Sequence, residues 1–150
     1  MKKLISIVGG REASRELLLE AQKLGRLIAR SGYGIVCGGM GGIMEAAARG
    51  CKEEGGLTVG ILMHDDPKFA NPFIDVAIPT GLGIARNLLV VRAGEVVIAI
   101  DGRYGTLSEI ALALQLGKPV IGLQTWDISE NIIKVPSAEV AIKEMLKILS

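Results

Sequence analysis

Val96–Gly117 reads VVIAIDGRYGTLSEIALALQLG: an apolar run, a loop with two glycines, then a segment of helical spacing that stops at Gly117 with Pro119 shortly beyond. A strand leading through a glycine loop into a helix is the unit from which parallel α/β sheets are built. Its recurrence along the chain decides the fold class.

Further apolar runs of strand length are LISIV from Leu4, GIVC from Gly34, LTVGIL from Leu57, IDVAI from Ile74 and PVIGL from Pro119, beside EVVIAI from Glu95. Several are almost continuously hydrophobic, as expected of strands covered on both faces. Helical stripes separate them: Leu17, Ala21, Leu24 and Ile28, stopping at Gly32; Ile43, Ala46, Ala47 and Cys51; a weaker one of Ala85, Leu88, Leu89 and Arg92; and Leu107, Ile110, Ala111 and Leu114. A last helix begins near Ser137, with Glu139 in its first turn and Lys143 and Lys147 later, matching the helix dipole. The longest irregular parts are His64–Pro72 and Gln124–Pro136. This alternation predicts one Rossmann-like domain over residues 1–150, a doubly wound parallel sheet with helices on both faces.

The composition fits that scheme and narrows the function. At 150 residues, 49% hydrophobic and 22% charged, the chain can bury one continuous core and has no room for a second domain. Lys+Arg 17 against Asp+Glu 16 gives a net charge of +1, and aromatics are only 3%, so nucleic acid finds neither a basic field nor stacking platforms. MKKLISIVGG places lysines before an apolar run, but glycine interrupts it too early for a signal peptide, and no run approaches the roughly 18 to 20 residues of a membrane span. Cys37 and Cys51 form neither a disulfide framework nor a CxxC pair. A cytoplasmic protein without a membrane or nucleic-acid partner is expected.

The glycines carry the functional signal. Gly9 and Gly10 follow the first strand; Gly38, Gly39, Gly41 and Gly42, around Met40, the second; Gly81 and Gly83 the fourth; Gly102 and Gly105 the fifth. In a parallel sheet these loops all emerge at the carboxyl edge, where open α/β sheets bind ligands. Loops without Cβ atoms let backbone amides approach an anion, and a helix starting just after adds its positive end. Tight turns alone are the other use of any one such loop. GGMGGIME lacks the lysine of a Walker A motif, and neither ISIVGGRE nor GGMGG is a GxGxxG, so neither triphosphate hydrolysis nor nicotinamide or flavin chemistry is indicated.

Thr106 and Glu109 have the S/T-x-x-E spacing of a capping box, which makes Glu109 a helix cap, a functional carboxylate, or both. Arg86 and Arg103 follow carboxyl-edge loops and are candidate anion partners, Arg103 as a bidentate clamp. Met40, inside a glycine loop, is a candidate ligand contact. His64 with Asp65 and Asp66 reads as a solvated turn, and no metal site is expected. Cys37 reads as a buried small hydrophobe and Trp126 as packing.

GGMGGIMEAAARG from Gly38 and GIARNLLVVRAGEVVIAIDGRYGTLSEIALAL from Gly83 resemble the LOG (LONELY GUY) superfamily, whose usual signature is PGGxGTxxE with an arginine some way upstream. GIARN and YGTLSEIALAL look closest to its branch of molybdenum cofactor carrier proteins; the DNA-processing proteins are a more distant resemblance. LOG members release free base and ribose 5-phosphate from nucleoside 5′-monophosphates, whereas carrier members bind a phosphate-bearing pterin without turning it over. Carried over by residue, the resemblance implies a catalytic role for Arg86 and Glu109. It also implies phosphate contacts at Gly102, Gly105 and Thr106, which bracket Arg103 and Tyr104, and an earlier glycine loop at Gly38–Gly42 beside Gly9 and Gly10. Asp101 stands where the signature has Pro, Arg103 replaces its second Gly, and Asn87 follows Arg86 where hydrolases commonly have Lys. These departures favour binding over hydrolysis. The expected function is therefore a binding protein for a phosphate-bearing, nucleotide-like ligand, either a nucleoside monophosphate or a molybdopterin-type molecule, with phosphoribohydrolase activity as the alternative. The resemblance also implies a homo-oligomer, a dimer or a dimer of dimers.

Overall fold

Seven strands form one sheet in the order β4-β3-β2-β1-β5-β6-β7, and every neighbouring pair is parallel. The computed structural model describes Met1–Ser150. Its strands are β1 (Leu4–Gly9), β2 (Gly34–Cys37), β3 (Thr58–Leu62), β4 (Val76–Pro79), β5 (Val97–Ile100), β6 (Val120–Leu123) and β7 (Ile132–Lys134). The helices are α1 (Arg15–Arg30), α2 (Ile43–Glu53), α3 (Asn87–Ala93), α4 (Tyr104–Gln115) and α5 (Ala138–Leu149). The chain is a single α/β domain with a Rossmann-like fold.

The apolar runs split by parity, because successive strand residues point to opposite faces. Ile5, Ile7, Ile35, Cys37, Ile98 and Ile100 face one way and pack with Leu24 and Ile28 of α1, Ala47 of α2 and Met145 of α5. Val8, Val36, Val97 and Ala99 face the other way and pack with Val90 and Val91 of α3 and Ile110 and Ala113 of α4. Both faces are thereby covered, which is why the strands carry so few polar residues. Ser6, on the second face, is fully buried and donates to the Val90 carbonyl at 2.6 Å.

Three details differ from the sequence reading. A short seventh strand, Ile132–Lys134, lies within the stretch read as irregular, held by pairing to β6 rather than by any run of its own. In α3 the buried face is Asn87, Val90 and Val91, not Ala85, Leu88, Leu89 and Arg92, because Gly83–Arg86 forms a separate 3-10 turn that resets the helical phase. In α4 the buried face is Thr106, Glu109, Ile110 and Ala113, one position away from the expected Leu107, Ile110, Ala111 and Leu114 stripe. The segment is apolar on most sides, so periodicity could not choose the inward face. This last rotation turns Glu109 inward.

The chain runs outward from β1 through β2, β3 and β4, then crosses back to place β5 on the other side of β1. The carboxyl ends of β1 and β5 therefore mark the switch point where the connections diverge and leave a crevice.

Candidate functional site

A cleft of about 490 Å³ opens at that switch point, within the size range of small-molecule sites. Its walls come from the end of β1 and the loop after it (Gly9–Glu12), the turn into α3 and the first residue of that helix (Ile84, Arg86, Asn87), the start of α4 (Arg103–Thr106) and Glu109. Ile7, Val8, Met44 and Met63 supply apolar floor. Of the candidate residues, Gly9, Gly10, Arg86, Arg103, Tyr104, Gly105, Thr106 and Glu109 are brought together here.

The other candidates stand behind the lining. A Cβ on Gly38 would sit 2.5 Å from Arg86 Nη2, so this glycine makes room for the guanidinium. Met40 places its sulfur 4.0 Å from the same nitrogen. Gly39 packs on Gly60, while Gly41 and Gly42 adjoin the backbone of Arg11, and the amide of Ile43 donates to the Gly10 carbonyl at 3.0 Å. The β2 loop thus buttresses the β1 loop from behind the cleft wall. Gly102 has φ 101 and lies so close to Thr106 that a Cβ would be 2.2 Å from Thr106 Oγ1. Only glycine adopts that conformation without strain.

The capping box does not form. The cap position of α4 belongs to Arg103 and no side chain caps the helix, so Thr106 is already helical and Glu109 lies well inside α4. The left-handed turn at Asp101 (φ 54) and Gly102 swings the chain into the helix three residues sooner than the spacing suggested. Thr106 is buried against Gly102 instead.

Arg86 and Glu109 are each only 7% exposed, yet both border the cleft. No guanidinium nitrogen lies within the 4.0 Å of an ion pair to the carboxylate. Burial pushes the Glu109 carboxyl up to about 8, with the nearby Arg86 charge opposing only part of that rise. Burial likewise lowers the Arg86 guanidinium, although Glu109 acts in the opposite sense. At neutral pH the carboxyl is mostly protonated and the guanidinium remains a cation. Arg86 Nε has no hydrogen-bond partner, while Nη1 donates to Asn87 Oδ1. An unsatisfied buried donor costs free energy that a ligand acceptor would recover.

The sequence reading missed Ile7, Val8, Arg11, Glu12, Met44, Met63, Ile84 and Asn87 as lining residues. Arg11 and Glu12 directly follow Gly9-Gly10, a signal that could have found them; Met44 and Met63 carried none. With Arg11 and Arg103 at the rim and Arg86 within, the cleft is cationic once Glu109 holds its proton. His64 stacks on Phe69 with ring centroids 4.1 Å apart, and no group of His, Cys, Asp or Glu is placed to hold a metal ion. Trp126 donates from Nε1 to the Arg103 carbonyl at 2.9 Å and lies beside Tyr104. No helix is long and apolar enough to cross a membrane.

The whole chain superposes on the molybdenum cofactor binding protein from the phototrophic bacterium Rippkaea orientalis, with a TM-score of 0.94 and 38% identity, covering 100% of this chain and 99% of that one. The molybdenum cofactor carrier protein from Chlamydomonas reinhardtii gives a TM-score of 0.90 at 30% identity, covering 99% of each chain. An uncharacterized protein of Archaeoglobus fulgidus is 39% identical over 138 residues, 92% of this chain and 91% of its own. Residues 2–148 match the model of the SLOG cluster4 family, and the chain belongs to that family.

Proposed function

We propose that this protein binds a phosphate-bearing heterocyclic ligand of the molybdenum cofactor class in the switch-point cleft and carries it without turning it over. The observation that carries this reading is Arg86: a buried cation with an unpartnered Nε, facing a cleft large enough for such a ligand. The ligand's phosphate would lie toward the start of α4, near Gly105 and Thr106, and within reach of Arg11, Arg86 and Arg103. Helix-end amides and guanidinium forks both favour an anion. Two structural relatives named for binding or carrying the molybdenum cofactor support the choice of ligand class.

Binding is favoured over glycosidic hydrolysis because the chain departs from the hydrolase signature at Asp101, Arg103 and Asn87. Burial raises the Glu109 carboxyl, and a protonated carboxyl donates one hydrogen bond and accepts others, which suits recognition of a heterocycle edge.

The test is to incubate the purified protein with molybdenum cofactor, remove free ligand by gel filtration, and measure retained molybdenum and pterin fluorescence. Near-stoichiometric retention that falls at least tenfold in Arg86→Ala is expected. Absence of retention, together with release of free base from AMP or GMP that is lost in Glu109→Gln, would replace this reading with the hydrolase.

A further inference from the structure

Arg86 and Glu109 are opposite in charge when ionised, buried, and close enough to influence each other, yet they do not pair. Isolated in low dielectric, a guanidinium and a carboxyl gain by meeting, since pairing satisfies donors and acceptors together. Something holds them apart. From the Proposed function above we take only that the cleft must stay open. The hydrogen bonds themselves are independent of what fills it.

Arg86 Nη1 donates to Asn87 Oδ1. Asn87 Nδ2 donates to Ser108 Oγ at 3.0 Å, and Ser108 Oγ donates to the Gly105 carbonyl at 2.6 Å. The direction of this chain is fixed by chemistry. A guanidinium has only donors, so the amide oxygen must face it; the serine proton is committed to Gly105, so Ser108 must accept from the amide nitrogen. Asn87 is 4% exposed, so neither end of its amide can be replaced freely by water.

We infer that Asn87 is a positioning residue that anchors the Arg86 guanidinium to the first turn of α4, and thereby keeps it from collapsing onto Glu109 and closing the ligand cleft. Losing the amide oxygen frees Nη1 beside an already unpartnered Nε. The guanidinium is then free to turn toward the Glu109 carboxylate, the acidic side chain whose charge acts on it. The other charged or titratable groups around the pair do not compete: Arg11 repels Arg86, the Cys37 thiol is held protonated by burial, and Arg103 and Glu12 lie at the exposed rim.

The measurement is made on the full-length, ligand-free protein, labelled so that the Glu109 side-chain carboxyl carbon and the Arg86 Nε–H can be followed by NMR through a pH titration. In Asn87→Ala, the Glu109 midpoint is expected to fall by at least about one pH unit, a tenfold loss of proton affinity, with the Arg86 Nε–H shifting as it gains a partner. Ser108→Ala, at a partly exposed position, is expected to move both signals the same way by less. Asn87→Asp keeps an acceptor on Nη1, so its Glu109 midpoint is expected to stay at or above that of the unsubstituted protein. An unchanged Glu109 midpoint in Asn87→Ala with native circular dichroism overturns the inference. Should Asn87→Ala not fold, an unchanged midpoint in Ser108→Ala does the same. Failure of cofactor retention with these shifts present would refute the ligand assignment and leave the role of Asn87 standing.

Discussion

Arg86 and Glu109 border one cleft, both buried, without forming an ion pair. The arrangement costs stability in the free protein, because each group has been desolvated and neither compensates the other fully. A ligand that partnered either group would offset that cost.

Stability should fall with rising pH because of Glu109. Its folded-state carboxyl titrates near 8, against 4.5 for the ordinary group, so between those values the native state holds a proton that the unfolded chain has lost. Unfolding free energy is then highest below about pH 4.5, as far as this group is concerned, and declines until about pH 8. Urea denaturation of Glu109→Gln should lack this slope, and the variant should be more stable than the parent at pH 8 by on the order of 4 kcal/mol.

Gly25 lies where α1 closely approaches α2. A Cβ there would lie 2.0 Å from the Ala47 carbonyl oxygen, which is backbone and cannot step aside. Gly25→Ala is expected to cost roughly 3 kcal/mol or more, seen as a lower urea midpoint. Gly105→Ala, where nothing lies within 4 Å, is the control; it should be neutral or slightly stabilising by chemical denaturation.

Gly38 separates folding from binding. Its added Cβ would press on the side-chain ends of Arg86 and Met44 rather than on backbone, so Gly38→Ala should fold with a loss of about 1 kcal/mol or less. Cofactor retention should nonetheless drop at least tenfold, because the guanidinium has been pushed from its place. Equal retention in the variant and the parent would show that Arg86 does not hold the ligand.

The two thiols should be inert in the native protein. Burial pushes Cys37 up to about 12 and Cys51 up to about 11, leaving almost no thiolate at neutral pH. Ellman's reagent at pH 7.5 is expected to detect neither thiol until denaturant is added, and then both.

Local patterns made much of this legible. Six of the seven strands announce themselves as apolar runs bounded by turn residues, and the stripe of Leu17, Ala21, Leu24 and Ile28 is buried on α1 as spaced. The seventh strand is only three residues long, and its existence depends on the edge of β6 rather than on its own composition. Thr106 and Glu109 illustrate a different failure. Their spacing satisfies a capping box, but helix starts are decided by where the preceding chain can turn, and the left-handed pair Asp101 and Gly102 turned it earlier.

From residue order alone came the alternation of strand and helix, and with it the parallel sheet whose glycine loops share one edge; hydrophobic periodicity and short connections leave little other choice. Which of those loops line the cleft, that Glu109 faces inward and loses its charge, and that Asn87 restrains Arg86 were decided only by tertiary structure. Burial, desolvation and the direction of a hydrogen bond depend on neighbours distant in sequence, and those neighbours exist only once α3 and α4 have packed on the sheet.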